Sequence, residues 1–246
     1  MATGRSGIEW TEATWNPVTG CSKITPGCAH CYAETLSRRF GWTQQPWSPA
    51  NAHANVRLHR ERLYQPLRWR RPRMIFVNSM SDLFHELVPL EFISDVFGVM
   101  AEASQHVFQI LTKRHERLAE LAPQIEWPAN VWMGVSIESN RWVERADSLR
   151  SVPAAVRFIS AEPLLDSLDG LNLAGIHWMI AGGESGPGHR PVNERWLLDL
   201  RDQCENEGIA FFFKQWGGRT PKTGGRTLDG REWSGMPKPS RQLVTV

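Results

Sequence analysis

Short apolar runs that alternate with helical patterns constrain the fold of this chain more than any other feature. After a strand-like segment ahead of the cysteines, runs rich in Val, Ile, Phe, Met and Trp recur at residues 74–78, 107–111, 131–135, 156–159, 176–180 and 209–213. Helical patterns separate several of them, at 90–103, 115–121, 141–149 and 194–207. Apolar strands joined through helices pair in parallel and are buried on both faces. The pattern predicts an α/β fold, a partial or nearly closed (β/α) barrel with about seven parallel strands; an open doubly wound sheet is the alternative.

The length of the chain allows one α/β barrel or one to two smaller domains. With 41% hydrophobic and 22% charged residues, the 246-residue chain has an ordinary globular composition. We expect residues 1–216 to form the barrel, with a cysteine loop at 20–32, and residues 217–246, rich in Gly, Pro and charge, to form a C-terminal tail or lid. The sequence shows no apolar leader and no run long enough for a membrane span, so we expect a cytoplasmic protein without a membrane partner.

Three of the four cysteines, Cys21, Cys28 and Cys31, lie in one short loop after the first predicted strand. Three thiolates on one loop can hold three corners of a cubane iron–sulfur cluster, which leaves the fourth iron open to another ligand. A zinc site with His30 or Cys204 as fourth ligand is the alternative, although structural zinc sites usually show two paired ligand motifs and this sequence shows one. A disulfide framework is disfavoured because three clustered cysteines leave one unpaired.

Polar side chains follow almost every apolar run. In a parallel barrel the carboxyl ends of the strands meet at one mouth, where barrel enzymes keep their chemistry. The polar residues at these strand ends are therefore the candidate site residues: Asn78, Ser79, Ser81, Asp82, Lys113, Ser136, Glu138, Glu162, Glu184 and Lys214. A helix cap is the structural alternative for Ser81 and Asp82, because Ser and Asp are common at helix N-termini.

These motifs carry two resemblances. The cysteine loop, with an aromatic residue directly before its last cysteine and a βα series after it, resembles that of the radical S-adenosylmethionine (SAM) superfamily. More closely, strings along nearly the whole chain resemble a phage- and bacterium-encoded three-cysteine family of largely unassigned function. These strings lie at residues 8–11, 14–17, 20–21, 77–84, 111–114, 134–138, 160–164, 182–186 and 213–217.

The superfamily resemblance implies two cofactors and a reaction. Its members hold a [4Fe–4S] cluster on three cysteines, here Cys21, Cys28 and Cys31, and the open iron binds the amino and carboxyl groups of SAM. An electron from the reduced cluster cleaves SAM to methionine and a 5′-deoxyadenosyl radical, which abstracts a hydrogen atom from the substrate. An electron donor is therefore an implied partner. The protein supplies binding, orientation and exclusion of water.

Position along the fold then suggests roles for the strand-end residues. The candidates for the methionine part of SAM follow the second strand: Asn78, Ser79, Ser81 and Asp82. Ser136 and Glu138 follow the fourth strand, where superfamily members often hold the ribose. The candidate catalytic residues, which would bind a substrate or cofactor carboxylate, are Lys113, Glu162 and Lys214, since fixed charges act more strongly in a partly dry site than in water.

Two features depart from the usual superfamily pattern. Six residues separate Cys21 from Cys28, where the usual loop has three. The Gly-Gly-Glu string at 182–184 follows the sixth predicted strand, whereas the superfamily motif that binds the amino group of the cofactor follows the second. Glu184 stays a cofactor-binding candidate without that role. The glycine pair indicates either a close backbone approach to a ligand or a tight turn.

An arginine-rich strip suggests a substrate class. Seven arginines lie between residues 57 and 73, with Tyr64 and Trp69 among them and Glu61 as the one acid. Such a strip can neutralise phosphates while its aromatic rings stack on bases, so DNA or another nucleic acid is a candidate partner. The superfamily's spore photoproduct lyase branch, which repairs DNA lesions, is the precedent that the resemblance implies.

A weaker basic region spans residues 219–241. A solvated surface is the structural alternative for both basic regions. The alternative function is a non-catalytic zinc- or iron–sulfur-bearing nucleic-acid-binding protein.

Overall fold

The computed structural model describes residues 6–220 and 222–238, and its centre is a seven-stranded sheet. The strands lie side by side in chain order and every neighbouring pair is parallel. They are β1 Ala13–Trp15, β2 Met74–Val77, β3 Val107–Thr112, β4 Val131–Ser136, β5 Val156–Ala161, β6 Trp178–Gly182 and β7 Ala210–Gln215. The sheet is a half-barrel with β1 and β7 at its edges, which confirms the predicted partial (β/α) barrel.

Helices join most of the strands and cover one face of the sheet. They are α1 Tyr32–Arg39, α2 Leu90–Glu102, α3 His115–Leu121, α4 Arg145–Arg150 and α5 Glu194–Glu207. The side chain of Asn193 caps α5 by accepting a hydrogen bond from the Arg195 N–H. The helix stops at Gly208, whose φ of +69° suits glycine.

Shorter elements occupy the connections. Strands Val18–Thr19 and Arg57–Leu58 pair antiparallel, as do Thr227–Leu228 and Arg231–Glu232. A helical turn spans Ala52–Asn55. Tighter 3₁₀ turns lie at Pro26–Cys28, Pro49–Asn51, Arg60–Arg62, Pro66–Arg68, Ala122–Gln124 and Asn140–Trp142.

At two of the predicted segments, a local turn shifts the boundary. The pattern at 141–149 is split into a 3₁₀ turn and α4, because the N–H groups of Trp142 and Val143 bond three residues back along the chain. Strand β6 begins at Trp178 rather than Ile176, because the Ile176 N–H closes a turn on the carbonyl of Leu173. Both differences come from local turns that the apolar pattern does not encode.

Alternate residues of each strand face two separate cores. One set packs under the helices, with Phe108, Ile159 and Phe213 among its members. The other set fills the inner face of the half-barrel with a cluster that we call the aromatic floor: Trp10, Phe76, Trp132, Phe158, Trp178 and Phe212. Trp10 comes from the segment before β1, so the N-terminal part of the chain closes the inner face at this level.

Above the aromatic floor, the inner positions become small or polar toward the carboxyl ends of the strands. Gly134 shares a face with Trp132, and a Cβ there would lie 2.4 Å from the ring of Phe158. By the same alternation, Ser160 follows Phe158 and Lys214 follows Phe212 on the inner face. The half-barrel therefore has an apolar base and a polar upper part.

The C-terminal segment runs along the edge strand β7. The Phe213 N–H donates to the carbonyl of Trp233, and the Gly235 carbonyl accepts the indole N–H of Trp178. Leu228 is fully buried in the helix-side core. The described part of this segment thus covers a sheet edge, while residues 221 and 239–246 of the predicted tail or lid lie outside the described residues. Within the described ranges, no helix has the length and apolar character needed to cross a membrane.

Candidate functional site

The cysteine loop leaves the carboxyl end of β1 and leads into α1. Gly20 opens it with a φ of +80°, and a Cβ there would lie 2.0 Å from the carbonyl oxygen of Asn55, so only glycine fits. A 3₁₀ turn follows at Pro26–Cys28, and α1 begins directly after Cys31. The loop therefore holds its cysteines at the edge of the sheet where barrel enzymes place their sites.

The three loop thiols are each partly buried and unbridged. Burial raises the pKa of the Cys21 thiol to about 12, and the positive charge of Arg114 opposes that rise. Burial also raises the pKa of Cys31. Negative charge on Cys28 raises the pKa of both other thiols. Cys21 and Cys31 pack against the same small apolar cluster of Ala33, Trp47 and Met80.

The donor set fits an iron–sulfur cluster by its chemistry. Thiolates are soft ligands that select Fe–S clusters, zinc or Cu(I), and Cys21, Cys28 and Cys31 would hold three corners of a cubane. Across residues 6–220 and 222–238, no three His, Cys, Asp or Glu side chains form a site for a single metal ion. Of the fourth ligands considered for zinc, Cys204 is buried in the helix-side core. His30 uses Nδ1 in a hydrogen bond with Glu184, an arrangement that is also usual for a metal-binding histidine.

Arg114 connects the loop to the strand ends beside it. Its Nη1 donates to the Cys21 sulfur at 3.5 Å and to Asp82 at 3.2 Å. Its Nη2 donates to the carbonyl and hydroxyl oxygens of Ser22, and its Nε donates to Glu86. Burial lowers the pKa of Arg114. The negative charges of Asp82, Cys21 and Glu86 outweigh this effect and hold the pKa above its ordinary value. A buried cation with a full set of acceptors thus lies against one of the three thiols.

The candidates after β2 are hydrogen-bonded to the segment between β1 and the cysteine loop. Asn78 adopts a φ of +60°, and its Oδ1 accepts the backbone N–H of Val18. The Ser79 hydroxyl donates to the side chain of Asn16, and the Ser81 hydroxyl donates to the Val18 carbonyl. These side chains fix the entry to the cysteine loop.

Asp82 is the buried acceptor at this strand end. Its carboxylate accepts the Thr112 hydroxyl at 2.7 Å and the backbone N–H groups of Phe84 and Lys113. With Arg114 added, Asp82 joins the ends of β2 and β3. As a whole residue, Asp82 is 6% exposed. Its carboxylate accepts hydrogen bonds from several groups at these strand ends and therefore holds them in position.

Ser136 and Glu138 lie at the end of β4 beneath the cysteine loop. The Nη1 of Arg145 donates to Glu138 at 2.9 Å and to the Ser136 carbonyl, and both charged side chains are 1% exposed. The other carboxylate oxygen, Oε1, has no hydrogen-bond partner in the described part of the chain. A Cβ on Gly27 of the cysteine loop would lie 3.0 Å from this Oε1, so the unpaired oxygen borders the loop.

Glu162 and Lys214 meet on the inner face above the aromatic floor. The Lys214 Nζ lies 2.8 Å from Glu162 Oε2, and the Ser160 hydroxyl donates to the other oxygen at 3.4 Å. Lys214 also lines a cavity of about 280 Å³, whose other lining residues are Glu9, Gln215, Lys222, Gly225 and Arg226. Lys113, the third catalytic candidate, lies on the side of the cysteine loop, where its charge opposes the burial that raises the pKa of Cys31.

Glu184 joins the loop after β6 to the cysteine loop. It accepts His30 Nδ1 at 2.9 Å and several donors of Arg190, whose Nη2 also donates to the carbonyl of Pro26. Burial raises the pKa of Glu184. The hydrogen bonds from Arg190 and His30 outweigh this effect and bring the pKa down to about 2. Glu184 therefore lies where the two loops meet, as a carboxylate that holds them together.

The glycine pair before Glu184 permits contact between two loops of the chain itself. A Cβ on Gly183 would lie 2.0 Å from the carbonyl oxygen of Trp216, in the loop after β7. A Cβ on Gly182 would lie 3.4 Å from Glu162 Oε2. The group that approaches Gly183 closely is therefore the backbone carbonyl of Trp216, and a glycine is needed there because any side chain would clash with it.

Residues 5–237 match the model of a family described as a protein of unknown function, DUF5131. The chain belongs to this family. That result confirms the predicted membership of a family without an assigned function. No curated protein matches the sequence.

Among solved structures, the chain is similar to spore photoproduct lyase. A point mutant of that enzyme, with serine in place of one cysteine, aligns with a TM-score of 0.47 at 13% identity, over 75% of this chain and 59% of the other. The same lyase complexed with dinucleoside spore photoproduct aligns with a TM-score of 0.44 at 13% identity, over 82% and 63% of the two chains. The chain thus spans about three fifths of the length of these structures.

The structure adds three site residues that the sequence patterns did not single out. Arg114 contacts Cys21, and Arg145 holds Glu138. Tyr32 lies at the start of α1, and its hydroxyl donates to the Ser79 carbonyl at 2.6 Å. Arg114 had a sequence signal, since it closes one of the family strings. Arg145 and Tyr32 lie on helices. The helical pattern of the sequence does not distinguish them from ordinary surface residues.

Proposed function

We propose that this protein is a radical SAM-type enzyme that carries a [4Fe–4S] cluster on Cys21, Cys28 and Cys31. The observation that carries the proposal is the placement of three thiols on one loop at the carboxyl edge of a half-barrel, beside a polar inner face. A purely structural metal site would need only the thiols. An enzyme also needs groups that bind its substrate, and the polar groups at the ends of β4, β5 and β7 lie at the same edge of the sheet as the thiols.

When bound, the cluster and SAM supply a reducing electron and a carbon-centred radical. The chain's own residues would bind and orient. Arg114 fixes Cys21, and the Glu184 contacts hold the cysteine loop against the loop after β6. Glu138, with its unpaired Oε1 beside the cysteine loop, is the best-placed acceptor for a ligand hydroxyl such as those of a ribose.

The Glu162–Lys214 pair is placed to act on substrate. The pair lies on the inner face, and Lys214 borders open space. In a site that excludes water, a fixed ammonium binds a substrate carboxylate or phosphate more strongly than it would in solution. Its neighbour Glu162 would hold the ammonium in position, and the aromatic floor beneath would exclude water.

For the substrate class, we propose nucleic acid, with modification or lesion repair as the type of reaction. The arginine strip supports this, because Arg57, Arg68, Arg70 and Arg71 are exposed. Trp69, by contrast, is half-buried with Arg73 stacked over its ring at 5.3 Å, so it serves the fold. Exposed arginines can neutralise phosphates without displacing internal partners.

Metal content and SAM cleavage in cysteine variants test this proposal. The chain would be purified without oxygen, reconstituted with iron and sulfide, and reduced, and then methionine and 5′-deoxyadenosine formed from SAM would be measured. Cys21→Ala should lose the cluster and the cleavage. Cys204→Ala, which removes a thiol from the helix-side core, should keep both and is the matched control. A full cluster spectrum in Cys21→Ala would contradict the ligand assignment.

A further inference from the structure

Exposed apolar side chains are concentrated in one connection of the chain. Among the residues that the structure describes, the large apolar side chains that are exposed all lie between residues 24 and 64: Ile24, Tyr32, Phe40, Trp42, Leu58 and Tyr64. This range lies within the connection between β1 and β2, which also contains the cysteine loop. Among them, Phe40 and Trp42 contact one another and form a contiguous exposed apolar pair. Contiguous exposed apolar surface marks an interaction site, whereas scattered side chains do not.

Phe40 and Trp42 form a pair of exposed rings directly after α1. Phe40 is 57% exposed and Trp42 is 52% exposed, and their ring centroids lie 5.3 Å apart at an interplanar angle of 31°. The backbone holds them in place: the Phe40 N–H bonds to the Leu36 carbonyl, and the Trp42 N–H bonds to the Ser37 carbonyl. The two rings are therefore presented to solvent on an ordered turn.

The charge of the sequence that contains this pair points to the class of partner. Between residues 38 and 73 the chain has nine arginines and a single acid, Glu61, a formal charge of +8 in a chain whose total is +2. Arg38 and Arg39, directly before the two rings, are both exposed. Arginine next to exposed aromatic rings is the combination that binds a phosphate backbone and stacks on bases.

Both ends of the cysteine loop lead into this surface. Strand Val18–Thr19, just before the loop, pairs with Arg57–Leu58 at the start of the arginine strip. At the other end, α1 begins after Cys31 and ends at Arg39, next to the two rings. A ligand bound here would lie on elements that are continuous with the proposed site.

We infer that Phe40 and Trp42 form a base-stacking platform for single-stranded nucleic acid, whose phosphates the arginines of residues 38–73 contact. The inference deepens the proposed function and rests on its nucleic-acid substrate. A single strand is specified because its bases have free faces, whereas the bases of a duplex are already stacked inside it. Such a platform would hold a strand while one of its nucleotides enters the half-barrel.

Fluorescence anisotropy with the reconstituted full chain tests the platform. The probes are labelled oligothymidylate and oligouridylate of about 15 nucleotides and a duplex of the same length, each titrated over a range of salt concentrations. Phe40→Ala/Trp42→Ala should bind the single strands roughly 10-fold more weakly with an unchanged salt dependence, since stacking is not electrostatic. Arg70→Ala/Arg71→Ala should reduce the salt dependence. Phe40→Tyr/Trp42→Phe keeps both rings and should bind like the unmodified chain.

The outcomes separate the platform from the nucleic-acid substrate on which it rests. Equal binding by the Phe40→Ala/Trp42→Ala variant would overturn the platform and leave nucleic acid as substrate. Duplex binding as tight as single-strand binding would also overturn it. An unmodified chain that binds none of the probes would overturn both the platform and the nucleic-acid substrate, and a protein partner would then be the occupant of this surface. The cluster spectrum of the same sample reports on the proposed radical chemistry separately.

Discussion

Two ion pairs at strand ends of the same sheet differ in how their charges are used. The side chains of Arg114 and Asp82, on the side of β2 and β3, are 4% and 8% exposed, and Arg114 donates from all three of its nitrogens. Lys214 and Glu162, on the side of β5 and β7, are 23% and 13% exposed, and Lys214 borders a cavity. The first pair holds the cysteine loop in shape. The second leaves a charge accessible to a ligand.

The largest effect is expected from Arg114→Met. The change leaves the Asp82 carboxylate buried without its cation and should lower the free energy of unfolding by roughly 3–5 kcal/mol. Urea unfolding measures this. The control is Arg195→Met, which breaks an exposed pair with Asp199 and should cost less than about 1 kcal/mol. A loss in Arg114→Met no larger than that in Arg195→Met would contradict the role assigned to Arg114 and Asp82 as a buried pair that holds the cysteine loop in shape.

A second prediction concerns Gly134, on the inner face of the half-barrel above the aromatic floor. Gly134→Ala would place a methyl group against the Phe158 ring and should destabilise the fold by about 1–3 kcal/mol. Gly98→Ala is the matched control, because a Cβ there meets nothing within 4 Å and lies inside α2. There the same change should stabilise by roughly 0.5–1 kcal/mol. Thermal unfolding of both variants separates packing from helix propensity.

The contacts of Glu184 predict a pH dependence. Its pKa of about 2 lies below the ordinary 4.5, so the carboxylate stabilises the fold fully above pH 4.5 and loses that contribution as the pH falls toward 2. Over this range the unmodified chain should lose stability more steeply than Glu184→Gln, by at most about 1.4 kcal/mol per pH unit. Unfolding curves recorded before iron is added measure the difference. If the free energy of unfolding fell equally with pH in both proteins, Glu184 would not hold the two loops together.

The smallest effect on stability is expected from Lys214→Met. The pair with Glu162 is partly solvated, so its loss should change the free energy of unfolding by about 1 kcal/mol or less. Iron content should not change, because Lys214 is not part of the cysteine loop. A variant that loses iron together with stability would place Lys214 with Arg114 among the residues that maintain the loop.

The fold was more accessible from the sequence than the site was. Buried parallel strands require continuous apolar runs, so the run at 131–135 located β4 almost to its ends. The inner and outer faces were not distinguished, because both are apolar at the level of the aromatic floor. Chain order along parallel strands was enough to bring Glu162 and Lys214 to one edge, and the structure places them in contact.

Partners of buried charges were beyond sequence reasoning. Asp82 and Glu138 looked like free carboxylates at strand ends, yet each is paired with an arginine, one of them on helix α4. Such pairs depend on where a helix packs, which the strand pattern does not specify. Glu184 likewise depends on Arg190, which lies in a loop without a periodic pattern.

Electron paramagnetic resonance of the reduced, reconstituted protein, with and without SAM, is the decisive test of the proposed radical SAM chemistry. We predict a [4Fe–4S] signal from a cluster on Cys21, Cys28 and Cys31 that changes shape when SAM is added, because SAM would bind the open iron. A cluster whose signal does not change with SAM would contradict the proposal and point to electron transfer or sensing. Stoichiometric zinc with no cluster would contradict it as well and leave a nucleic-acid-binding protein as the interpretation of the fold.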